Sequence, residues 1–134
     1  MPAEPSAPVL NGQTILVVDD QAQIRSLVRQ ILERHGAVIL EAANGLEALA
    51  IRKRSGSALT LVIVDFLMPG LSGLDLAAQL NRDAPGIQIL YMSSAAESIA
   101  MESLLRESPG HVLLKPFTVE DLIARVQSLL APAE

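Results

Sequence analysis

The sequence contains no cysteine, which excludes disulfide bonds and thiolate metal sites and is compatible with a reducing compartment. Aromatic side chains are almost as scarce, since the chain has two phenylalanines, one tyrosine and no tryptophan. Half of the residues are nevertheless hydrophobic. The core must therefore consist mainly of Leu, Ile, Val and Ala, which is what the packing of helices on a sheet allows.

Membrane and targeting segments are also lacking. No apolar run approaches the roughly 18 residues of a membrane span, and residues 1–4 show neither the basic nor the apolar part of a secretory signal. The net charge of −5 argues against nucleic acid as a direct partner, because phosphate contacts depend on clustered Lys and Arg. We therefore expect a cytoplasmic domain with no direct contact to membrane or nucleic acid.

The hydrophobic pattern alternates between two kinds of segment. Short apolar runs predict strands that are buried on both faces. These runs lie at 15–18, 38–40, 61–64, 87–92 and 112–114. The segments after them show helical spacing of apolar residues or helix-start patterns, such as Asn44 followed by Glu47 and Thr118 followed by Asp121. Five strands alternating with five helices predict an α/β fold with a doubly wound parallel sheet.

The chain is about one domain long, at 134 residues. Residues 1–12 contain three prolines and end in Asn11-Gly12, which predicts a disordered lead-in. The folded domain is expected to span 13–131, with 132–134 as a C-terminal tail.

Polar residues stand at the ends of four of the five predicted strands. They are Asp19 and Asp20 after the first strand, Asp65 after the third, Ser93 after the fourth and Lys115 after the fifth. Because the carboxyl ends of parallel strands share one edge of the sheet, where ligands bind in this class, we expect these side chains to converge. Singly, each could be a helix cap or a surface residue, but four of them at one edge favour a shared site.

Three carboxylates beside an ammonium group suit phosphoryl chemistry. Neighbouring carboxylates raise one another's pKa unless a cation lies among them. Mg²⁺ typically binds one or two carboxylates, waters and a substrate phosphate. The metal and Lys115 would neutralise phosphoryl oxygens during an in-line transfer to Asp65 as nucleophile.

Four motifs resemble those of the receiver domain of two-component response regulators. They are Ile15–Asp20 (ILVVDD), Asp65–Gly70 (DFLMPG), Tyr91–Ser93 (YMS) and Lys115–Phe117 (KPF). Their order is that of the family and their spacing is close to it, and the likeness covers about residues 13–131. The resemblance is to a chemotaxis-regulator-like receiver domain, and it implies a flavodoxin-like sheet with strand order 2-1-3-4-5, flanked by five helices.

The resemblance also implies a role for each acidic residue. Asp65 would be the phosphoryl acceptor, and the donor would be a phosphohistidine on a histidine kinase or a phosphotransfer protein. Asp20 and Asp65 are similar to the carboxylate ligands of Mg²⁺, for which Mn²⁺ is an alternative. The Leu67 carbonyl would be the backbone ligand, and Asp19 would act mainly through water.

For the other site residues the resemblance implies a switch. Lys115 would pair with the phosphoryl oxygens, and Lys115-Pro116 would be a cis peptide. Ser93 is similar to the hydroxyl residue that moves onto the phosphoryl group. That movement would change the surface made by the fourth helix, fifth strand and fifth helix, and so the binding of an effector protein or output domain.

Two positions bear on how this switch would work. Val112 stands three residues before the lysine, where the family commonly has Tyr or Phe, and a valine has no large side chain that could turn inward. Leu67, two residues after the acceptor, offers no hydrogen bond to an attacking water. We therefore expect slow self-dephosphorylation.

Two other functions stay open beside a phosphorylatable signalling module. A degenerate receiver would act as a constitutive protein-binding module, although every acceptor-site residue is present. A small phosphohydrolase would use an aspartyl-phosphate intermediate, but such enzymes commonly place a general acid where Leu67 stands. We therefore expect a domain that catalyses only its own phosphorylation and dephosphorylation, and not an enzyme that acts on a separate metabolite.

Overall fold

A five-stranded parallel sheet forms the centre of the computed structural model, which describes residues 10–66, 68, 70–83, 86–93 and 99–130. The strands are β1 (Thr14–Val18), β2 (Val38–Ala42), β3 (Leu59–Asp65), β4 (Gln88–Ser93) and β5 (Val112–Leu114). They lie in the order β2-β1-β3-β4-β5, and every neighbouring pair is parallel. The predicted fold class and strand order are confirmed.

Helices cover both faces of this sheet. They are α1 (Ala22–Arg34), α2 (Gly45–Ser55), α3 (Gly73–Asp83), α4 (Ile99–Glu107) and α5 (Val119–Leu130). Alternate residues of each strand point to opposite faces, so Leu16 packs in the core beneath α2, α3 and α4 while Ile15 packs beneath α1 and α5. Among the described residues, no helix has both the length and the apolarity that crossing a membrane would require.

Side-chain caps set where two of the helices begin. Asn44 Oδ1 accepts a hydrogen bond from the Glu47 N–H at 2.9 Å, and Glu47 Oε1 accepts one from the Ala43 N–H at 2.8 Å. At the start of α5 the pair is reciprocal, since Thr118 Oγ1 accepts from the Asp121 N–H and Asp121 Oδ2 accepts from the Thr118 N–H. Both N-caps match the sequence prediction. They place the helix starts directly after the turns that leave β2 and β5.

The predicted disordered lead-in of residues 1–12 is wrong at its C-terminal end. Leu10 is only 1% exposed and packs in the core beneath α1 and α5. Its N–H donates to the His35 carbonyl at 2.8 Å, and its own carbonyl accepts from the Gln13 N–H at 3.0 Å. Gly12, with φ of +87°, allows the turn that folds this leucine inward. The remaining lead-in and the tail at 132–134 lie outside the described residues.

Candidate functional site

The structure brings the predicted site residues to one edge of the sheet. Asp65 and Ser93 are the last residues of β3 and β4, Asp19 follows β1 directly, and Lys115 follows β5. The Lys115 N–H donates to the Ser93 carbonyl at 2.7 Å, so backbone pairing continues past the end of β5. Convergence is a consequence of parallel topology, since every strand presents its carboxyl end on the same side.

Three carboxylates form the acidic part of this edge. One oxygen each of Asp19, Asp20 and Asp65 lies within 4.8 Å of the other two. Asp19 is fully buried and Asp65 is nearly so, whereas Asp20 is exposed. The cluster, which we call the acidic pocket, therefore opens to solvent on the side of Asp20.

Lys115 supplies the positive charge at the acidic pocket. Its Nζ lies 3.7 Å from Asp19 Oδ2 and 3.9 Å from Asp65 Oδ1. The Lys115-Pro116 peptide is cis, as expected. The ammonium group thus faces the two buried carboxylates together, and one positive charge is shared between two negative ones.

The hydrogen bonding of Asp19 leaves one buried oxygen unsatisfied. Asp19 Oδ1 accepts from the Gln21 N–H at 2.8 Å. No donor in the described part of the chain hydrogen-bonds Asp19 Oδ2, since Lys115 is at ion-pair rather than hydrogen-bond distance. Burial raises the pKa of the Asp19 carboxyl above its ordinary value, and the Gln21 N–H and Lys115 only partly offset that effect.

This donor set fits a hard divalent cation. Mg²⁺ prefers oxygen ligands and commonly binds through one or two carboxylates. The acidic pocket offers such oxygens, and its buried Asp19 Oδ2 has an ion pair with Lys115 but no hydrogen bond from the described residues. A bound cation, or one of its waters, would give this oxygen a further partner. The Leu67 carbonyl, predicted as the backbone ligand, lies outside the described residues.

The Asp19 carboxylate should cost the metal-free protein stability at neutral pH. Because the folded-state pKa is raised, the unprotonated group opposes folding, and protonation favours the folded state as the pH falls. In EDTA at pH 7 we expect Asp19→Asn to raise the free energy of unfolding by about 1 kcal/mol. The measurement is urea unfolding at several pH values.

The gain from Asp19→Asn should shrink as the pH falls through the raised folded-state pKa of Asp19. It should vanish below the ordinary carboxyl pKa of about 3.9, because the wild-type group is then protonated in both states. In Mg²⁺ the ranking should reverse, because the wild-type chain then gains stability from binding. An asparagine variant that is less stable than wild type in EDTA at pH 7 would contradict this account of Asp19.

The sequence reasoning did not single out Arg25, and it included Tyr91 only within the Tyr91–Ser93 motif, with no role of its own. Arg25 of α1 donates from Nη1 to the Asp19 carbonyl at 2.7 Å. Tyr91 lies two residues before Ser93 on the same face of β4, buried against Phe66 with ring centroids 6.0 Å apart. The signal for Tyr91 was its strand spacing from Ser93, whereas Arg25 had none, because a polar helix position next to a strand end is ordinary.

Tyr91 places an aromatic ring next to Val112, the position of β5 at which the family commonly has Tyr or Phe. Val112 is the register partner of Tyr91 across the β4–β5 pair, and both are buried in the core beneath α4. A large ring therefore lies beside Val112, supplied by the neighbouring strand. Burial raises the pKa of the Tyr91 phenol, so this ring stays neutral under ordinary conditions.

Fold and site together define a doubly wound α/β domain with an acidic pocket and a lysine at the carboxyl edge of its sheet. The family model of the response regulator receiver domain matches residues 15–127. The chain therefore belongs to the receiver domains of response regulators, which are components of two-component systems.

Named relatives come from more than one kind of protein. The chain is 34% identical over 123 residues to the transcriptional regulatory protein ResD of Bacillus subtilis, covering 92% of this chain and 50% of ResD. It is 29% identical over 127 residues to the sensor kinase CckA of Brucella abortus, covering 95% of this chain and 13% of CckA. The chain thus spans half or less of the length of these relatives.

A solved structure shows the same architecture. The response regulator TrrA of Thermotoga maritima, in complex with Mg²⁺-BeF, superimposes with a TM-score of 0.75 and 33% identity. The superposition covers 88% of this chain and 99% of TrrA. The likeness therefore includes nearly the whole of a receiver domain.

Proposed function

We propose that this chain accepts a phosphoryl group on Asp65 from a phosphohistidine of a sensor histidine kinase or a phosphotransfer protein. The observation that carries the proposal is the position of the Asp65 carboxylate. It ends β3 at the edge of the acidic pocket, with Lys115 Nζ 3.9 Å from its Oδ1. A nucleophile, a cation site and a fixed ammonium group are the parts that phosphoryl transfer requires.

The transfer itself needs little more from the protein than position and charge. An Asp65 oxygen attacks phosphorus in line as the bond to the histidine nitrogen breaks, so the phosphoryl group moves without net redox change. Lys115 neutralises the developing charge on the phosphoryl oxygens. The hydroxyl of Ser93, at the neighbouring strand end, then binds the new phosphoryl group.

The cation would be held by the acidic pocket. In this proposal Asp20 and Asp65 would bind Mg²⁺ directly, Asp19 would act mainly through water, and the Leu67 carbonyl would be the backbone ligand. The Mg²⁺-BeF complex of TrrA supports Mg²⁺ as the ion, and Mn²⁺ is an alternative. When bound, the cation supplies further neutralisation of the phosphoryl oxygens.

Phosphorylation would be read out by the surface of α4, β5 and α5. Movement of Ser93 toward the phosphoryl group shifts the end of β4, to which β5 is paired. Leu114 of β5 and Val119 of α5 expose 44% and 47% of their surface, so each offers an apolar contact to a partner that binds here. An effector protein or an output domain, in the cytoplasm, is the proposed partner.

The test is phosphorylation by a small-molecule donor. The chain incubated with acetyl phosphate and Mg²⁺ should gain the mass of one phosphoryl group, and none when EDTA replaces Mg²⁺. No gain under any condition would instead support a degenerate receiver that binds protein constitutively. Rapid, continuing hydrolysis of added phosphoesters would support a phosphohydrolase.

The same measurement reports how long the phosphoryl group persists. Because Leu67 cannot orient a water for attack, we expect the phosphorylated form to outlast a mixing experiment of minutes, and Leu67→Asn to shorten its lifetime. The readout is the decay of the added mass after the donor is removed. A half-life of seconds in the wild-type chain, or no change in the variant, would contradict this role of Leu67.

A further inference from the structure

Arg25 links the acidic turn after β1 to the neighbouring strand β2. Its Nη1 donates to the main-chain carbonyl of Asp19 at 2.7 Å, and its Nε lies 3.3 Å from Glu41 Oε1. The Arg25 side chain is 18% exposed. One guanidinium group thus makes a backbone contact and an ion pair at the same time, which its planar fork of donors permits.

The Glu41 carboxylate has a second arginine partner. Arg29, one helical turn further along α1, donates from Nη1 to Glu41 Oε2 at 2.8 Å and from Nε to Glu33 Oε2 at 3.1 Å. Both oxygens of Glu41 are therefore engaged. Arg25 pairs with Oε1 and Arg29 with Oε2, so each arginine has its own oxygen of Glu41.

The carbonyl that Arg25 binds belongs to the peptide between two residues of the acidic pocket. Asp19 and Asp20 both contribute oxygens to that pocket. The Asp19 N–H donates to the Ala42 carbonyl at 3.2 Å, and Asp19 Oδ1 accepts from the Gln21 N–H. With Arg25 on the carbonyl, the turn is held at three points, and the Arg25 contact fixes the plane of the peptide that leads into Asp20.

We propose that Arg25 is a positioning residue, which holds the Asp19–Asp20 turn so that its carboxylates can bind a divalent cation. Arg25 acts through the Asp19 carbonyl and not on the cation, and the inference rests on the proposed function. Its positive charge would by itself repel a cation, but the paired Glu41 carboxylate offsets it. We therefore expect replacement of Arg25 to weaken cation binding, because the lost contact with the Asp19 carbonyl has a larger effect than the removal of one positive charge.

The test is Mg²⁺ affinity, measured by calorimetric titration of the full chain. Arg25→Gln should weaken Mg²⁺ binding about tenfold, the lower end of the effect of residues that orient metal ligands. Arg25→Lys should fall between Arg25→Gln and wild type, because an ammonium group can reach the Asp19 carbonyl or Glu41 but lacks the fork that binds both. Phosphorylation of Arg25→Gln by acetyl phosphate should be slower than that of the wild-type chain at low Mg²⁺ and equal to it at high Mg²⁺.

Arg29→Gln is the matched control. It removes the same charge from the same helix and the same carboxylate partner, but leaves the contact with Asp19 in place. Its Mg²⁺ dissociation constant should stay within about twofold of wild type. Thermal unfolding in EDTA, run on every variant, separates a change in cation affinity from a general loss of stability.

Three results would overturn the role of Arg25 but leave the proposed function intact. They are a Mg²⁺ affinity of Arg25→Gln equal to that of the wild type, an affinity higher than that of the wild type, and an equal loss of affinity in Arg29→Gln. Affinity above wild type would mean that the charge effect exceeds the positioning effect. A wild-type chain that binds no divalent cation would overturn the proposed function, and the role of Arg25 with it.

Discussion

Asp65→Asn is expected to take up no phosphoryl group from acetyl phosphate in Mg²⁺, under conditions in which the wild-type chain takes up one. The amide is nearly isosteric with the carboxylate, but its oxygen is a much poorer nucleophile and carries no full charge to help hold a cation. Asp65 is only 9% exposed, so an isosteric change keeps the packing at the end of β3. The measurement is intact mass at matched protein and donor concentrations.

Asp75→Asn is the control for this substitution. Asp75 lies in the first turn of α3, is exposed, and is outside the acidic pocket, so its removal should leave uptake unchanged. Far-UV circular dichroism on both variants confirms that each is folded. Uptake of a phosphoryl group by Asp65→Asn would show that another residue is the acceptor, and would contradict the assignment of Asp65.

Gly73→Ala is expected to lower the free energy of unfolding by about 2 kcal/mol, within the range for overpacking at a close contact. Gly73 begins α3 beside the acceptor strand, and an added Cβ would lie 2.7 Å from the Asp65 carbonyl oxygen and 3.0 Å from the Phe66 Cα. Both are backbone atoms, so no side-chain rotation relieves the overlap. Either α3 or the end of β3 must move.

Gly86→Ala is the matched control, because Gly86 is exposed and an added Cβ there meets no atom within 4 Å. Its unfolding free energy should change by no more than about 0.5 kcal/mol. Urea unfolding of the two variants gives the comparison. We also expect slower phosphorylation of Gly73→Ala, because the displaced backbone carries the Asp65 carboxylate. Equal stability of the two variants would contradict the close contact.

The residue pattern alone was enough to place the strands and their polar ends. The β5 strand, Val112–Leu114, was predicted with its observed bounds, and the capping boxes at Asn44 and Thr118 were predicted with their partners. Such features depend on neighbours within a few residues, so they can be predicted from the sequence. The convergence of Asp19, Asp65 and Lys115 was also predictable, because it follows from parallel topology and not from the details of packing.

Other features were decided only by contacts between distant parts of the chain. The β2 strand continues past its predicted end at Leu40 because the backbone of Glu41 pairs with that of Val17, although the side chain is polar. Leu10 packs in the core, and its N–H bonds the carbonyl of His35 at the C-terminal end of α1. Neither contact has a local signal.

By itself, then, the sequence determined the alternation of strands and helices, the class of sheet that follows from it, and the set of charged groups gathered at one edge. Tertiary structure alone decided how those charges are arranged: Asp19 buried, Asp20 exposed, and Arg25 held between Asp19 and Glu41. The physical reason is that burial and long-range hydrogen bonds depend on how helices pack against the sheet. Hydrophobic periodicity specifies which face packs, but not which polar atoms then meet.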